Sequence, residues 1–118
     1  MTDVRAAQLE IAREIERVQD EAYGGATRKI DVQVVGDVVV VILDVELNRA
    51  EQTLTDAGFG DSVQKTRQDF QAAIAPTFRA IVERATGRSV EMFASKMEMD
   101  PPWSAEIFRL APAGSQPS

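Results

Sequence analysis

Apolar positions fall into two periodicities along this chain, and the change from one to the other marks its elements. Between Asp61 and Gly87, Val63, Phe70, Ile74, Phe78, Ile81 and Ala85 recur at spacings of three, four or seven. That places them in one stripe along a long helix. Asp61 with Gln64 reads as a capping box at its start, Gly87 as the residue just past its end, and Arg84 suits the negative end of the dipole. Pro76 removes one hydrogen bond and disfavours the helical region at Ala75, which predicts a kink or break there. Val4, Ile11, Ile15, Val18 and Ala22 give a first amphipathic helix over Val4 to Tyr23. Its seam can pack on the chain's own sheet or on a second copy. Glu10, Arg13, Glu14, Arg17 and Glu21 make its other side a solvated face.

Gly24-Gly25-Ala26-Thr27 reads as a helix cap and turn; a phosphate-binding loop would need more glycines and a helix after it. Then the period becomes two. Ile30, Val32 and Val34 alternate with Asp31 and Gln33, a strand with one wet face, and Gly36-Asp37 supplies a hairpin turn. Val38 to Leu43 is continuously aliphatic, which predicts a strand that is central or covered on both faces. Asn48 and Glu51 form the capping box of a short helix that carries Ala50, Leu54 and Ala57 and ends at Gly58. After Gly87 a strand carries Phe93, Ser95, Met97 and Met99 on one face. A turn-like loop, Asp100-Pro101-Pro102-Trp103, leads to a last strand from Ala105 to Leu110. Glu106, Phe108 and Leu110 alternate there against Ile107 and Arg109. The order is α-β-β-α-α-β-β: an α+β domain over residues 1–110, a four-stranded, mainly antiparallel sheet with helices packed largely on one face. Residues 111–118, rich in Pro, Gly, Ser and Gln, read as an unstructured tail.

Composition narrows the chemistry. The chain has 118 residues, enough for one domain with a core of its own. It has neither cysteine nor histidine. That removes disulfides, thiolate chemistry, Cys-ligated zinc and the commonest general base. No cofactor is expected. The net charge of −6 disfavours nucleic acid as a partner. No apolar run is long enough to cross a bilayer, and the polar N-terminus lacks a signal-peptide core, so a cytoplasmic location is expected.

Three residues stand out as candidates for binding. Arg67 falls at the edge of the long helix's apolar stripe, where a guanidinium needs a carboxylate: either an intramolecular salt bridge or an anionic ligand or partner. Glu51 is one acid able to pair with it. Trp103, braced by prolines, is an aromatic anchor of the kind found at interfaces. Met92, Met97 and Met99 near it read as core filling or as an adaptable surface. Asp44, Glu46 and Glu51, gathered near a strand end, keep open a carboxylate enzyme using magnesium.

Several ordered segments carry a resemblance. Val35-Gly36-Asp37-Val38-Val39-Val40, Leu47-Asn48-Arg49-Ala50-Glu51-Gln52-Thr53-Leu54, then Arg67 and Phe70, Thr86-Gly87-Arg88-Ser89-Val90 and Phe108-Arg109-Leu110 together resemble the MpsC-like family. The family's glycine–arginine–glycine–proline turn after the first helix is here Gly24-Gly25-Ala26-Thr27. The resemblance implies an accessory part in a membrane-potential-generating, sodium- or bicarbonate-linked transport system, and it brings no catalytic residues with it. The expectation is therefore a non-enzymatic regulatory or accessory module. Its partner would be a protein, such as a membrane transport subunit, and an exposed sheet edge would offer a route to a homodimer. A small magnesium-dependent enzyme and a nucleic-acid-binding regulator are the alternatives.

Overall fold

The computed structural model describes residues 3–25 and 27–112. Ala26 of the predicted turn and all but the first two residues of the predicted tail lie outside that range. The elements are α1 (Val4–Tyr23), β1 (Thr27–Val35), β2 (Val38–Val45), α2 (Arg49–Asp56), α3 (Gly60–Thr86), β3 (Val90–Met99) and β4 (Pro102–Leu110), in the predicted order. Every strand pairing is antiparallel, and the sheet runs β1-β2-β4-β3. Two hairpins are thus joined through β2 and β4, which makes the aliphatic β2 a central strand, and β1 and β3 are the edges.

The helices lie on one face of the sheet. α1 packs on β1 and α3, α3 packs on β3, and α2 rests on α3. Beneath them Val39, Val41 and Leu43 of β2 and Phe108 and Leu110 of β4 meet Ile11 and Ile15 of α1 and Phe78, Ile81 and Val82 of α3. The first helix turns its buried stripe slightly away from the expected one. Ala7, Ile11, Ile15 and Gln19 are buried, whereas Val4 and Ala22 are exposed.

Two local expectations are corrected. Asp61 does not cap α3: the helix starts at Gly60, with Phe59 at the cap position and no side-chain cap. Gln64 does not close a box and instead donates to the Met97 carbonyl at 2.8 Å, tying the helix to β3. Nor does Pro76 break the helix, which runs through it without interruption. Ala72, whose carbonyl loses its donor, and Pro76 itself are both exposed, so the lost hydrogen bond falls on the solvent side of the helix. Gly87 closes the helix as expected, with φ of 69° in the left-handed region.

Candidate functional site

The predicted binding residues divide between two places. Arg67 is 2% exposed on α3, in the stripe with Val63 and Gln71. Its Nε donates to Glu51 Oε2 at 2.7 Å and its terminal nitrogen to Oε1 at 2.6 Å, a bidentate pair. The same nitrogen reaches the Glu46 carbonyl at 3.5 Å. The guanidinium lies over the Tyr23 ring, 3.9 Å from its centroid, and Tyr23 in turn meets Phe70 edge-on at 5.1 Å. The intramolecular salt bridge anticipated from the sequence is thus formed. Geometry of this kind is what a partly dry ion pair requires.

Glu51 is held from both sides. It closes the capping box, its own N–H donating to Asn48 Oδ1 at 2.9 Å while its Oε1 accepts from the Asn48 N–H at 3.0 Å. Burial pushes its carboxyl up, but the hydrogen bonds from Arg67 and Asn48 and the Arg67 charge outweigh that and hold it below the ordinary carboxylate range. Burial pushes the Tyr23 phenol up. The cluster locks α1, α2 and α3 together beside a shallow recess lined by Tyr23, Gly24, Glu46 and Asn48. A second clamp joins two more of the segments that carried the resemblance. Arg88, just past α3, pairs with Asp37, donates to the Gly36 carbonyl at 3.3 Å and reaches the Ala111 carbonyl.

The acids proposed for magnesium do not converge. Asp44 is exposed on β2, Glu46 is exposed beyond it, and Glu51 is engaged by Arg67. Among the described residues no group of three or more acidic side chains is placed to hold a metal ion.

Sequence reasoning missed Glu106. It is fully buried on the helix-covered face, and neither carboxylate oxygen has a hydrogen-bond partner. It stands opposite Val41 and Ser95. Burial raises its carboxyl to about 7; the nearby Ser95 and Ser104 hydroxyls pull the other way but complete no hydrogen bond with it. The signal was present, because Glu106 alternates in phase with Phe108 and Leu110.

Trp103 sits elsewhere, and on a strand rather than a loop. β4 begins at Pro102, and Trp103 stands half-buried between Asp44 and Glu98 on the sheet face away from the helices. That face is built of four rows across β1, β2, β4 and β3. They are Lys29, Asp44, Trp103 and Glu98; Asp31, Ile42, Ala105 and Lys96; Gln33, Val40, Ile107 and Ala94; and Val35, Val38, Arg109 and Met92. No helix of the described residues lies on it. Ile107 is 38% exposed, Met92 50% and Val35 67%. Antiparallel sheets with one solvated face normally alternate apolar and polar residues. Here the middle of the solvated face is Val40, Ile42, Ala105 and Ile107.

A family model described as Na+-translocating membrane potential-generating system (MpsC) matches residues 5–111. No curated protein and no solved structure matches the chain.

Proposed function

The chain belongs to the MpsC family, and on that premise we propose that it is a non-enzymatic accessory module of a membrane ion-transport system, working on the cytoplasmic side through protein contacts. The observation that carries this reading is the open sheet face, where apolar side chains are left to solvent in an otherwise acidic chain. Contiguous apolar surface of this kind marks interaction sites. The family description supplies the setting. Among the described residues no helix is long and apolar enough to cross a membrane. The net charge of −6 opposes direct attachment to anionic lipids, so the route to the membrane runs through another protein. Arg67 and Glu51 act on this reading by holding the three helices in place.

The test is affinity capture of the tagged protein from its own cells, with detergent-solubilised membranes and the soluble fraction run separately. A transport subunit is expected with the wild type and not with Ile107→Lys. Its retention by Ile107→Lys moves the contact to another surface, and its absence from the wild-type eluate counts against the accessory reading.

A further inference from the structure

We propose that a second copy of this chain covers the open sheet face, forming a two-fold dimer in which two sheets pack face to face and the helices lie outside. The inference rests on the accessory reading and names what lies on the face: a second copy covers it and the transport subunit binds the assembled dimer, so that Ile107→Lys loses the subunit by losing the dimer. β2 is the starting point. Its unbroken run Val38 to Leu43 is the pattern of a strand dry on both sides. The chain covers Val39, Val41 and Leu43 and leaves Val38, Val40 and Ile42 half-exposed.

Charge decides for a second copy over a differently charged partner. The four rows carry three cations, Lys29, Lys96 and Arg109, and three anions, Asp31, Asp44 and Glu98, and Glu91 at the β3 bulge adds a fourth anion 3.9 Å from Arg109. The face is therefore close to neutral on a chain of net charge −6, and it is where two such chains meet with the least repulsion. The arrangement is also self-complementary. A two-fold axis parallel to the strands, running between β2 and β4 in the plane between the sheets, lays β1 over the partner's β3 and β2 over its β4 while keeping each row over itself. Under that operation Lys29 meets the position of Glu98 in the other copy, Asp31 meets that of Lys96, Val40 that of Ile107, and Ile42 that of Ala105. Opposite charges meet on the edge strands and apolar residues at the centre of this isologous contact, while Asp44 and Arg109 stand in the two end rows over Trp103 and Val38. Four strands about 4.8 Å apart and four rows about 6.8 Å apart give a plan area of roughly 500 Å² per copy. That is about 1,000 Å² in all before side-chain relief is added, at the threshold for a specific interface. Aligned packing of sheets about 10 Å apart leaves both helical layers clear.

The experiment is sedimentation velocity on the full chain at micromolar to ~100 µM concentrations, with circular dichroism to verify the fold of each variant. The wild type is expected to be dimeric in the upper part of this range. Ile107→Lys, at the centre of the face, is expected to be monomeric throughout. Lys96→Glu places like charges opposite Asp31 and is expected to weaken association at least tenfold at low salt. Adding Asp31→Lys to it reverses both partners and is expected to restore the dimer. A wild type that stays monomeric at ~100 µM overturns the proposal. So does a dimer unaffected by Ile107→Lys, or a charge swap that fails to rescue. Failure here is separable from failure of the accessory reading. A monomer that still captures a transport subunit through Ile107 removes only the dimer, whereas a dimer that captures none removes only the accessory role.

Discussion

Glu106 and Ile107 are consecutive residues of β4 that face opposite sides of the sheet. The carboxyl of Glu106 is sealed beneath the helices without a hydrogen-bond partner, while the aliphatic side chain of Ile107 is more than a third exposed. The same inversion extends around them. Gln71 on α3 and Ser104 on β4 each bury an oxygen without a partner, and Gln19 on α1 buries its whole unpartnered amide, whereas Val40 and Ile42 reach the open side. The covered face tolerates its acid because burial keeps that carboxyl protonated toward neutral pH, which avoids burying an unpaired negative charge. The open face has no such remedy. Exposed aliphatic area is relieved only by a cover, and the described residues provide none.

Deleting side chains on either side of the sheet separates the two faces most strongly. Phe108→Ala removes a fully buried ring that stacks on Phe93 at 4.9 Å. It is expected to cost about 4 kcal/mol in denaturant unfolding. Ile107→Ala, one residue on, is expected to cost less than about 1 kcal/mol in dilute protein. Equal losses would show that the open face is already covered within the chain.

The next contrast sets a paired buried charge against an unpaired one. Arg67→Ala orphans Glu51 and opens a gap among three helices, with an expected loss of about 3 kcal/mol. Replacing the pair by Arg67→Met with Glu51→Gln keeps the capping box and is expected to recover most of that. If the double variant is as unstable as the single, packing against Tyr23 matters more than the charge.

Glu106 contributes a pH-dependent effect. Its folded carboxyl titrates near 7 against an ordinary 4.5. The folded state therefore binds more protons than the unfolded one between those values, and stability falls as pH rises through that window, by about 3 kcal/mol in all. Glu106→Gln is expected to flatten this decline in urea titrations between pH 5 and 8. Glu51, held below its ordinary value, acts in a separate window: its contribution is intact above about 4.5 and is lost as pH falls further. An unchanged slope in Glu106→Gln would mean that water already solvates the carboxyl.

Much of this was legible in the chain. The aliphatic run at Val38 to Leu43, the Asn48–Glu51 box and the Gly87 stop each carry a local signal that the structure repeats. Arg67 could be marked as a charge in need of an acid because its phase puts it at the edge of the buried stripe. The strand order was not legible, because β2 and β4 are joined by no turn and pair only through the sheet. Pro76 misled because propensity does not say which side of a helix faces water. Glu106 misled because alternation fixes its side, while only the packed helices decide that the side is dry. Trp103 was placed on a loop by the prolines before it, yet Pro102 is the first residue of an edge-paired strand end.

The most direct test of an open face completed by another copy uses the absence of cysteine from the chain. In the two-fold arrangement the two copies of position 107 lie roughly 11 Å apart, from the sheet and strand spacings. Ile107→Cys treated with a short thiol–thiol crosslinker is predicted to give a covalent species of twice the chain mass. Arg17→Cys, on the solvated side of α1, is predicted to give none under the same conditions. Crosslinking through position 17 with none through position 107 would place the contact on the helices and contradict the account.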